Sequence, residues 1–441
     1  MFQSLDFRDH RKRLLANLQE DEAVLVFGAP TRRRNGDSDY RYRPNSDLFW
    51  LSGWEDPQCA AFLRPGGDET FVLFVQPRDP AREVWDGRRP GPEGAINTYG
   101  ADAAYTFAEL EEELPRLLEG VTTLHHQFAL DPDNDAVVMA SINRAARAGR
   151  RKGFATPQTF HVFEKTLHEL RLHKTAPEIA VMREAAALTD QGHRAAMAFT
   201  RPGVHEYEVE AVLRAPWDRG GSTGPAYTPI VAAGDNATVL HYVTNRDVCK
   251  AGELLLIDAG CEVAYYACDV TRTFPVDGTF TPAQRDAYEV VLAAQLASID
   301  ACRAGRSFDD VHAESVRVLT EGMVSLGLLS GTVDELIEKG EFRKYYMHST
   351  SHWLGLDVHD VGTYAKDGDV RRLTPGVVLT VEPGLYVAAD DETAPDALRG
   401  LGIRIEDDVH VTDGDPDVIT GDIPKRVTDV EAACQATLAH A

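Results

Sequence analysis

Apolar runs in the second half of the chain predict strands that are buried on both faces and that end in acidic residues. The run 254–257 is Leu-Leu-Leu-Ile and leads directly into Asp258. Eleven residues later Asp269 opens a second β-rich segment, and Thr271 and Thr273 share its face by the two-residue strand period. Two acids at the ends of adjacent buried strands stay ionised only beside a strong positive partner, either basic side chains or metal.

Two further strand-like segments carry acids at the same kind of position. The apolar run 376–387 predicts one long strand that contains a single acid, Glu382. The segment 402–411 alternates, with its isoleucines on one face and Arg404 and Glu406 on the other. The second half of the chain therefore places four carboxylates on apolar segments.

The remaining pattern predicts two parts, with a boundary between residues 155 and 175. In the first part the segment around Trp85 is predicted to be a surface loop, because loops collect arginine and glycine. Pro177, behind a potential Thr175 cap, is predicted to start the first helix of the second part. Strands are predicted over 23–27, 47–53, 59–63, 70–75 and 226–233, and helices over 107–118, 137–150, 177–200, 206–219, 282–304 and 308–328.

Composition excludes several classes of partner. The chain has 441 residues, 43% hydrophobic and 26% charged, as is typical of a globular enzyme. Its formal charge of −25 argues against nucleic acid or an anionic membrane as partner. No apolar run reaches the roughly 18 residues of a membrane span, and the N-terminus lacks the apolar core of a signal peptide. The six cysteines lack metal-finger spacing and are predicted to be buried thiols, which favours the cytoplasm.

The acids have simple interpretations when they are taken one at a time. Asp258 precedes Ala-Gly and could be a turn residue, and Asp269 could form an ion pair with Arg272. Glu406 heads an acidic run that would normally be solvated, and a lone histidine such as His241 is more often a core group. If these interpretations were all correct, several unrelated coincidences would each have placed an acid or a histidine beside an apolar strand in the same half of the chain. A shared site for divalent ions explains them together, with five candidate ligands: Asp258, Asp269, His352, Glu382 and Glu406.

Six long motifs in the second half resemble those of bacterial aminopeptidase P, a family of pita-bread metallopeptidases. One reads Leu-Leu-Ile-Asp-Ala-Gly-Cys-Glu and another Gly-Ile-Arg-Ile-Glu-Asp-Asp-Val. The six lie at 224–236, 255–262, 269–276, 351–362, 379–386 and 402–409, and shorter matches lie at 37–40, 45–47 and 84–89. The resemblance therefore covers nearly the whole chain.

The resemblance implies an α+β fold with two domains. An N-terminal α/β creatinase-like domain, residues 1–170, would shape the cleft and support oligomerisation. A C-terminal pita-bread domain, residues 171–441, would hold a dinuclear metal site. Relatives suggest a homo-oligomer, a dimer or a tetramer, in which the positions of Asp37 and Trp85 help to form the cleft, sometimes across subunits.

Site residues carry over by position. The resemblance implies that Asp269 and Glu406 bridge two metal ions, that Asp258 serves one ion, and that His352 and Glu382 serve the other. Manganese is the metal that the family suggests, and cobalt, iron and zinc also suit these ligands.

The resemblance also implies catalytic groups around the metals. Glu382 would accept the proton of the attacking water, His359 would stabilise the oxyanion, and His241 would hold the proline side. His348 would also serve the substrate, Arg404 would orient a ligand carboxylate, and Tyr227 would support a metal ligand. Two departures from the family concern substrate preference: Ser349-Thr350 after His348, and Cys268 where glycine is usual.

The implied activity is release of the N-terminal residue from peptides with proline in second position. The alternative within enzymes is a prolidase, which cleaves Xaa-Pro dipeptides with the same ligands. The alternative outside enzymes is a metal-free pita-bread binding module, and that interpretation requires missing ligands, whereas all five are present.

Overall fold

The computed structural model describes residues 5–67 and 69–436. The chain divides into two compact units, and the division falls between Arg171 and Leu172. Both units mix helices and strands, which agrees with the α+β fold class. Within the described residues no helix combines the length and the apolar character needed to cross a membrane.

The N-terminal unit is built on a six-stranded mixed sheet. Its strand order is β6-β5-β4-β1-β7-β8, with β1 antiparallel to β4 and parallel to β7. Leu25 and Phe62 of the sheet share a core with Leu114 and Ile142 of the two covering helices. The helices are α1 (Phe7–Leu15), α2 (Ser46–Ser52), α3 (Pro80–Asp86), α4 (Gly91–Asn97), α5 (Leu110–Leu117), α6 (Pro132–Lys152) and α7 (Leu167–Leu172), and the strands are β1 (Glu22–Phe27), β2 (Arg33–Asn35), β3 (Ser38–Asp39), β4 (Ala60–Leu63), β5 (Phe71–Val75), β6 (Ala103–Thr106), β7 (Thr123–His125) and β8 (Thr159–His161).

Two predictions in this unit were wrong. The segment 47–53 is not a strand but lies in helix α2, where the Asn45 side chain accepts the Leu48 N–H and Gly53, at φ 68°, ends the helix. All seven helical residues are buried, so the apolar pattern could not separate the two periods. The segment around Trp85 is a loop only at residues 87–90; Trp85 itself lies in helix α3, which Asp79 caps, and its side chain is 84% exposed.

The C-terminal unit begins with two long helices and continues through short antiparallel sheets. Its predicted helices are confirmed to within a few residues, and α11, β17 and β20 share a core through Val311, Leu379 and Val409. The helices are α8 (Ala176–Phe199), α9 (Glu206–Arg219), α10 (Pro282–Ala301), α11 (Phe308–Ser325), α12 (Val333–Lys339) and α13 (Val427–Cys434). The strands are β9 (Gly224–Pro225), β10 (Ile230–Ala233), β11 (Leu254–Asp258), β12 (Cys261–Val263), β13 (Tyr266–Ala267), β14 (Thr271–Pro275), β15 (Ala365–Lys366), β16 (Asp369–Val370), β17 (Val378–Val381), β18 (Gly384–Val387), β19 (Leu401–Arg404), β20 (Asp407–His410) and β21 (Asp417–Val418).

The two long strands predicted at 376–387 and 402–411 are each broken in the middle. Strand β17 pairs with β20, whereas β18 pairs with β19, so the chain changes partner in both segments. In the first segment the break falls at Glu382 and Pro383, where proline supplies no N–H for a ladder. In the second it falls at Ile405 and Glu406. Both predicted glutamate ligands therefore sit where a strand ends, and not within a continuous pleat.

The cysteines are free thiols, as predicted from their spacing. Five are buried, and Cys434 is half-buried. Cys261 and Cys268 lie opposite each other across the β12–β13 hairpin, where the Cys268 N–H donates to the Cys261 carbonyl oxygen at 3.0 Å. This hairpin joins β11, which ends at Asp258, to β14, which Asp269 precedes by two residues.

Gly260 gives a direct test of how tightly that hairpin is packed. A Cβ atom at Gly260 would stand 1.8 Å from the Cys268 carbonyl oxygen, a backbone atom that cannot swing away. We therefore expect Gly260→Ala to lower the free energy of unfolding by about 3 kcal/mol or more, as measured by urea denaturation. The control is Gly414→Ala, where the nearest atom is 3.8 Å away. Equal stability of the two variants would contradict the packing.

Candidate metal centre and cleft

One cleft of about 600 Å³ in the C-terminal unit gathers the site residues predicted from the sequence. Its walls are partly apolar, with Ile230, Leu240, Val243, Phe308 and Tyr364 among them. The predicted metal ligands Asp258, Asp269, His352, Glu382 and Glu406 all line this cleft, as do the predicted catalytic residues His241, His348, His359 and Arg404.

The pairing of β11 with β14 brings the first two acids together. Asp258 ends β11 opposite Thr271, and Asp269 precedes β14 by two residues. The Tyr227 hydroxyl lies 2.6 Å from Asp258 Oδ1 and 2.6 Å from Asp269 Oδ1. Because a phenol has one proton, it can donate to only one carboxylate at a time. The other carboxylate then needs a positively charged partner.

Asp269, His352 and Glu406 each offer a donor atom, and these atoms all lie within 4.8 Å of one another. His352 Nε2 is 3.4 Å from Asp269 Oδ2 and 3.8 Å from Glu382 Oε1. The other ring nitrogen, Nδ1, is 3.0 Å from the Trp353 carbonyl oxygen, which fixes it as the donor and leaves Nε2 as the ligand atom. Carboxylate oxygens with one imidazole form a donor set that suits a divalent cation.

Arg404 is the fixed positive charge of the cleft. It is buried, and it donates to Asp258 Oδ2 at 2.7 Å, to the Tyr386 hydroxyl at 2.9 Å and to Thr271 Oγ1 at 3.0 Å. Thr271 in turn donates to Glu406 Oε2 at 2.7 Å. One guanidinium thus orients two of the acids, one directly and one through a threonine.

Tyr386 belongs to the site and was missed in the sequence. Its hydroxyl lies 2.9 Å from His348 Nε2 as well as from Arg404 Nη1. The available signal was its even spacing from Glu382 in the apolar run.

Burial, with the charge of Arg404, lowers the pKa of His348 to about 4, so this imidazole is neutral at pH 7.

Burial governs the charge state of the acids. It raises the pKa of Glu382 to about 8, against the opposing charges of His352 and Arg404, and it raises the pKa of Asp258 and Glu406. Burial also acts on Asp269, but the hydrogen bond and charge of His352 lower its pKa overall. Burial lowers the pKa of His352, but the hydrogen bond and the charge of Asp269 outweigh burial and raise this pKa to about 9. In metal-stripped protein the cleft would therefore hold protons where cations bind.

Two simple interpretations of the acids were wrong. Arg272 pairs with Asp407 at 2.8 Å and not with Asp269, and both side chains are fully buried. The acidic run after Glu406 is not solvated either. Asp407 also accepts from Lys425 at 2.6 Å, and Asp408 Oδ2 accepts the backbone N–H of Asp269 at 3.1 Å.

Thr350 and Cys268, two of the residues that depart from the family pattern, lie next to residues of the site. Thr350 Oγ1 lies 2.8 Å from His312 Nδ1 and 2.6 Å from the Tyr346 hydroxyl, and the Thr350 carbonyl oxygen accepts the Glu382 N–H at 2.8 Å. Burial, together with the charge of Asp408, raises the pKa of the Cys268 thiol. The two remaining predicted groups, His241 and His359, line the cleft, and the His359 ring is centred 4.2 Å from that of His352.

Comparison with known proteins supports, over nearly the whole chain, the family that the sequence motifs resemble. The family described as Metallopeptidase family M24 matches residues 180–413, and the Aminopeptidase P, N-terminal domain matches residues 7–125. The Xaa-Pro aminopeptidase of Escherichia coli (strain K12) is 42% identical over 97% of both chains, and the human Xaa-Pro aminopeptidase 3 is 34% identical over 94% of this chain and 81% of its own length.

Solved structures agree with the sequence relatives. An aminopeptidase from Pseudomonas aeruginosa superposes with a TM-score of 0.94 at 44% identity over 97% of each chain. A zinc-substituted aminopeptidase P from E. coli, solved in complex with product, superposes with a TM-score of 0.93 at 41% identity over 98% of each chain.

The protons held by the metal-free cleft predict that metal binding depends on pH. Ligands must be deprotonated to bind, and at pH 7 both His352 (pKa about 9) and Glu382 (pKa about 8) carry protons. We expect Mn²⁺ binding to release one to two protons, so that affinity rises by about 10- to 100-fold per pH unit below pH 8.

Calorimetric titration at pH 7 in two buffers of different ionisation enthalpy measures this release. Glu382→Gln should reduce it, whereas His359→Ala is the control that should leave it unchanged. Binding heats that do not depend on the buffer would contradict the protonated state of the cleft.

Proposed function

The chain belongs to metallopeptidase family M24 and carries the N-terminal domain of aminopeptidase P, and from this we propose how its cleft residues divide the work. It is a metal-dependent Xaa-Pro aminopeptidase, which removes the N-terminal residue from peptides with proline in the second position. The observation that carries the assignment of roles is the cluster of buried acids with His352 in the lining of the cleft.

We infer that two divalent ions are held by five residues. Asp269 and Glu406 would serve both ions, Asp258 would serve one of them, and His352 and Glu382 would serve the other. Support comes from the donor distances, from the proton that Asp258 and Asp269 must share at Tyr227, and from the raised pKa values of Glu382 and Glu406. Manganese is the proposed metal, because four carboxylates and one imidazole form a predominantly hard ligand set.

When bound, the two ions lower the pKa of a water and polarise the scissile carbonyl. Glu382 accepts the proton of the attacking water, because a carboxylate at the metal can ligate and reach the nucleophile together. His359 donates a hydrogen bond to the developing oxyanion. Arg404 holds Asp258 in place, so it acts on the site through a ligand.

The substrate side of the cleft is assigned to the histidines and the apolar wall. His241 and neutral His348 contact the peptide on either side of the scissile bond, and Tyr386 keeps the His348 ring in place. Ile230, Leu240 and Val243 supply apolar surface for a proline ring and the neighbouring side chain. The assembled protein is proposed to be a homo-oligomer in the cytoplasm, and the buried free thiols support a reducing compartment.

The activity test uses metal-stripped protein, with and without added Mn²⁺, on an Arg-Pro-Pro tripeptide and an Ala-Pro dipeptide. We expect manganese-dependent release of free arginine from the tripeptide. Cleavage confined to the dipeptide would make the chain a prolidase. Cleavage of neither peptide with any divalent metal would favour a binding module.

Substitution separates metal ligands from catalytic groups. Glu406→Ala removes a bridge, so metal content and turnover should be lost together. His359→Ala should keep both metals and lower kcat by about 100- to 1000-fold, because it removes a single oxyanion donor. Metal analysis beside steady-state kinetics decides both. Normal activity in the first variant, or metal loss in the second, would contradict the assigned roles.

A further inference from the structure

Three side chains with metal-binding chemistry share one face of the N-terminal sheet. They come from three adjacent strands: Glu22 from β1, His125 from β7 and His161 from β8. His125 stands directly opposite His161 on one side and opposite Val24 on the other. Glu22 precedes Val24 by two residues, so the strand period places it on the same face.

His125 is a buried imidazole that this fold leaves unsatisfied. Its side chain is 2% exposed, and neither ring nitrogen has a hydrogen-bond partner in the part of the chain that the structure describes. The closest carboxylate oxygen, Glu22 Oε2, is 3.6 Å from Nε2, beyond a good hydrogen bond. Buried polar groups in native proteins are normally paired, so this ring has a nitrogen to offer to a ligand.

The second histidine lies at a distance that a shared metal would give. The ring centroids of His125 and His161 are 5.1 Å apart. Two imidazoles bound to one tetrahedral zinc through bonds of about 2.0 Å have centroids about 5 Å apart. The His161 side chain is exposed and makes no hydrogen bond to the described residues, so its ring can turn toward Glu22.

Glu22 and His125 are already prepared as ligands. Glu22 Oε2 accepts the backbone N–H of Gln19 at 3.1 Å, which orients the carboxylate beside His125. Burial lowers the pKa of His125, which favours the neutral ring, and a neutral imidazole offers one unprotonated nitrogen to a metal.

We propose that Glu22, His125 and His161 form a zinc site in the N-terminal unit that is additional to the metal centre of the cleft. Two imidazoles, one carboxylate and a water complete a tetrahedral zinc. The nitrogen-rich set favours zinc over manganese, which prefers oxygen ligands. The three donors are more widely spread than those of Asp269, His352 and Glu406, so binding includes rotation of the exposed His161 ring.

The test counts tightly bound zinc in the full-length protein. Wild type, His161→Gln and Glu22→Gln are loaded with excess Zn²⁺, passed through gel filtration, and analysed for metal. We expect both variants to hold one zinc per chain fewer than wild type. His205→Gln, which removes a histidine elsewhere in the chain, should hold as much zinc as wild type. Zinc bound in the cleft is the same in every protein, so it does not affect the difference between them. Equal zinc content in all four proteins, or equal loss in the control, would overturn the proposal.

A second readout addresses the coordination itself. Co²⁺ in a tetrahedral nitrogen and oxygen site absorbs more strongly in the visible than Co²⁺ in higher coordination. The wild-type spectrum should therefore contain a band that is missing in His161→Gln, while manganese-dependent tripeptide hydrolysis stays unchanged. Identical cobalt spectra would mean that these residues bind no metal together.

Discussion

The structure of the catalytic unit depends on holding four carboxylates in one cleft of low dielectric. Such a group is repulsive unless cations enter it. Arg404 is the built-in cation, and it reaches Asp258 directly and Glu406 through Thr271. His352 protects the charge of Asp269 in the metal-free state. The acids keep negative charge that these side chains do not neutralise, and a bound divalent metal would neutralise it.

A second group of largely buried charges, formed by Arg272, Asp407 and Lys425, supports the position of one acid of the cleft. Arg272 donates to the backbone oxygen of Glu406 and to the carboxylate of Asp407, which also accepts from Lys425. A buried ion pair adds little net stability, but removal of one partner leaves an unpaired charge. Its value here is geometric, because it fixes the main chain where strand β19 ends and β20 begins. The main-chain position of Glu406 is thus fixed by a salt-bridged arginine whose side chain does not line the cleft.

Much of this could be predicted from the sequence, because acids on apolar strands are conspicuous and the motifs are long. All nine predicted site residues line the cleft. What could not be predicted depends on long-range pairing. Arg272 and Asp407 are 135 residues apart, and the apolar run that contains Glu382 gives no sign that its two halves pair with different strands. Helix α2 was missed because its seven buried residues show no periodicity, and only its caps mark it as a helix.

The tight approach of Gly260 to the Cys268 carbonyl has a consequence for how such an enzyme can diversify. The ligand-bearing hairpin is made by backbone against backbone, so it tolerates neither insertion nor added side-chain volume. The apolar wall formed by Leu240, Val243 and Tyr364 consists of side chains facing open space. Change can therefore accumulate on the wall without reaching the ligands. Substitutions that change which peptides fit the cleft can therefore be separated from substitutions that damage its chemistry.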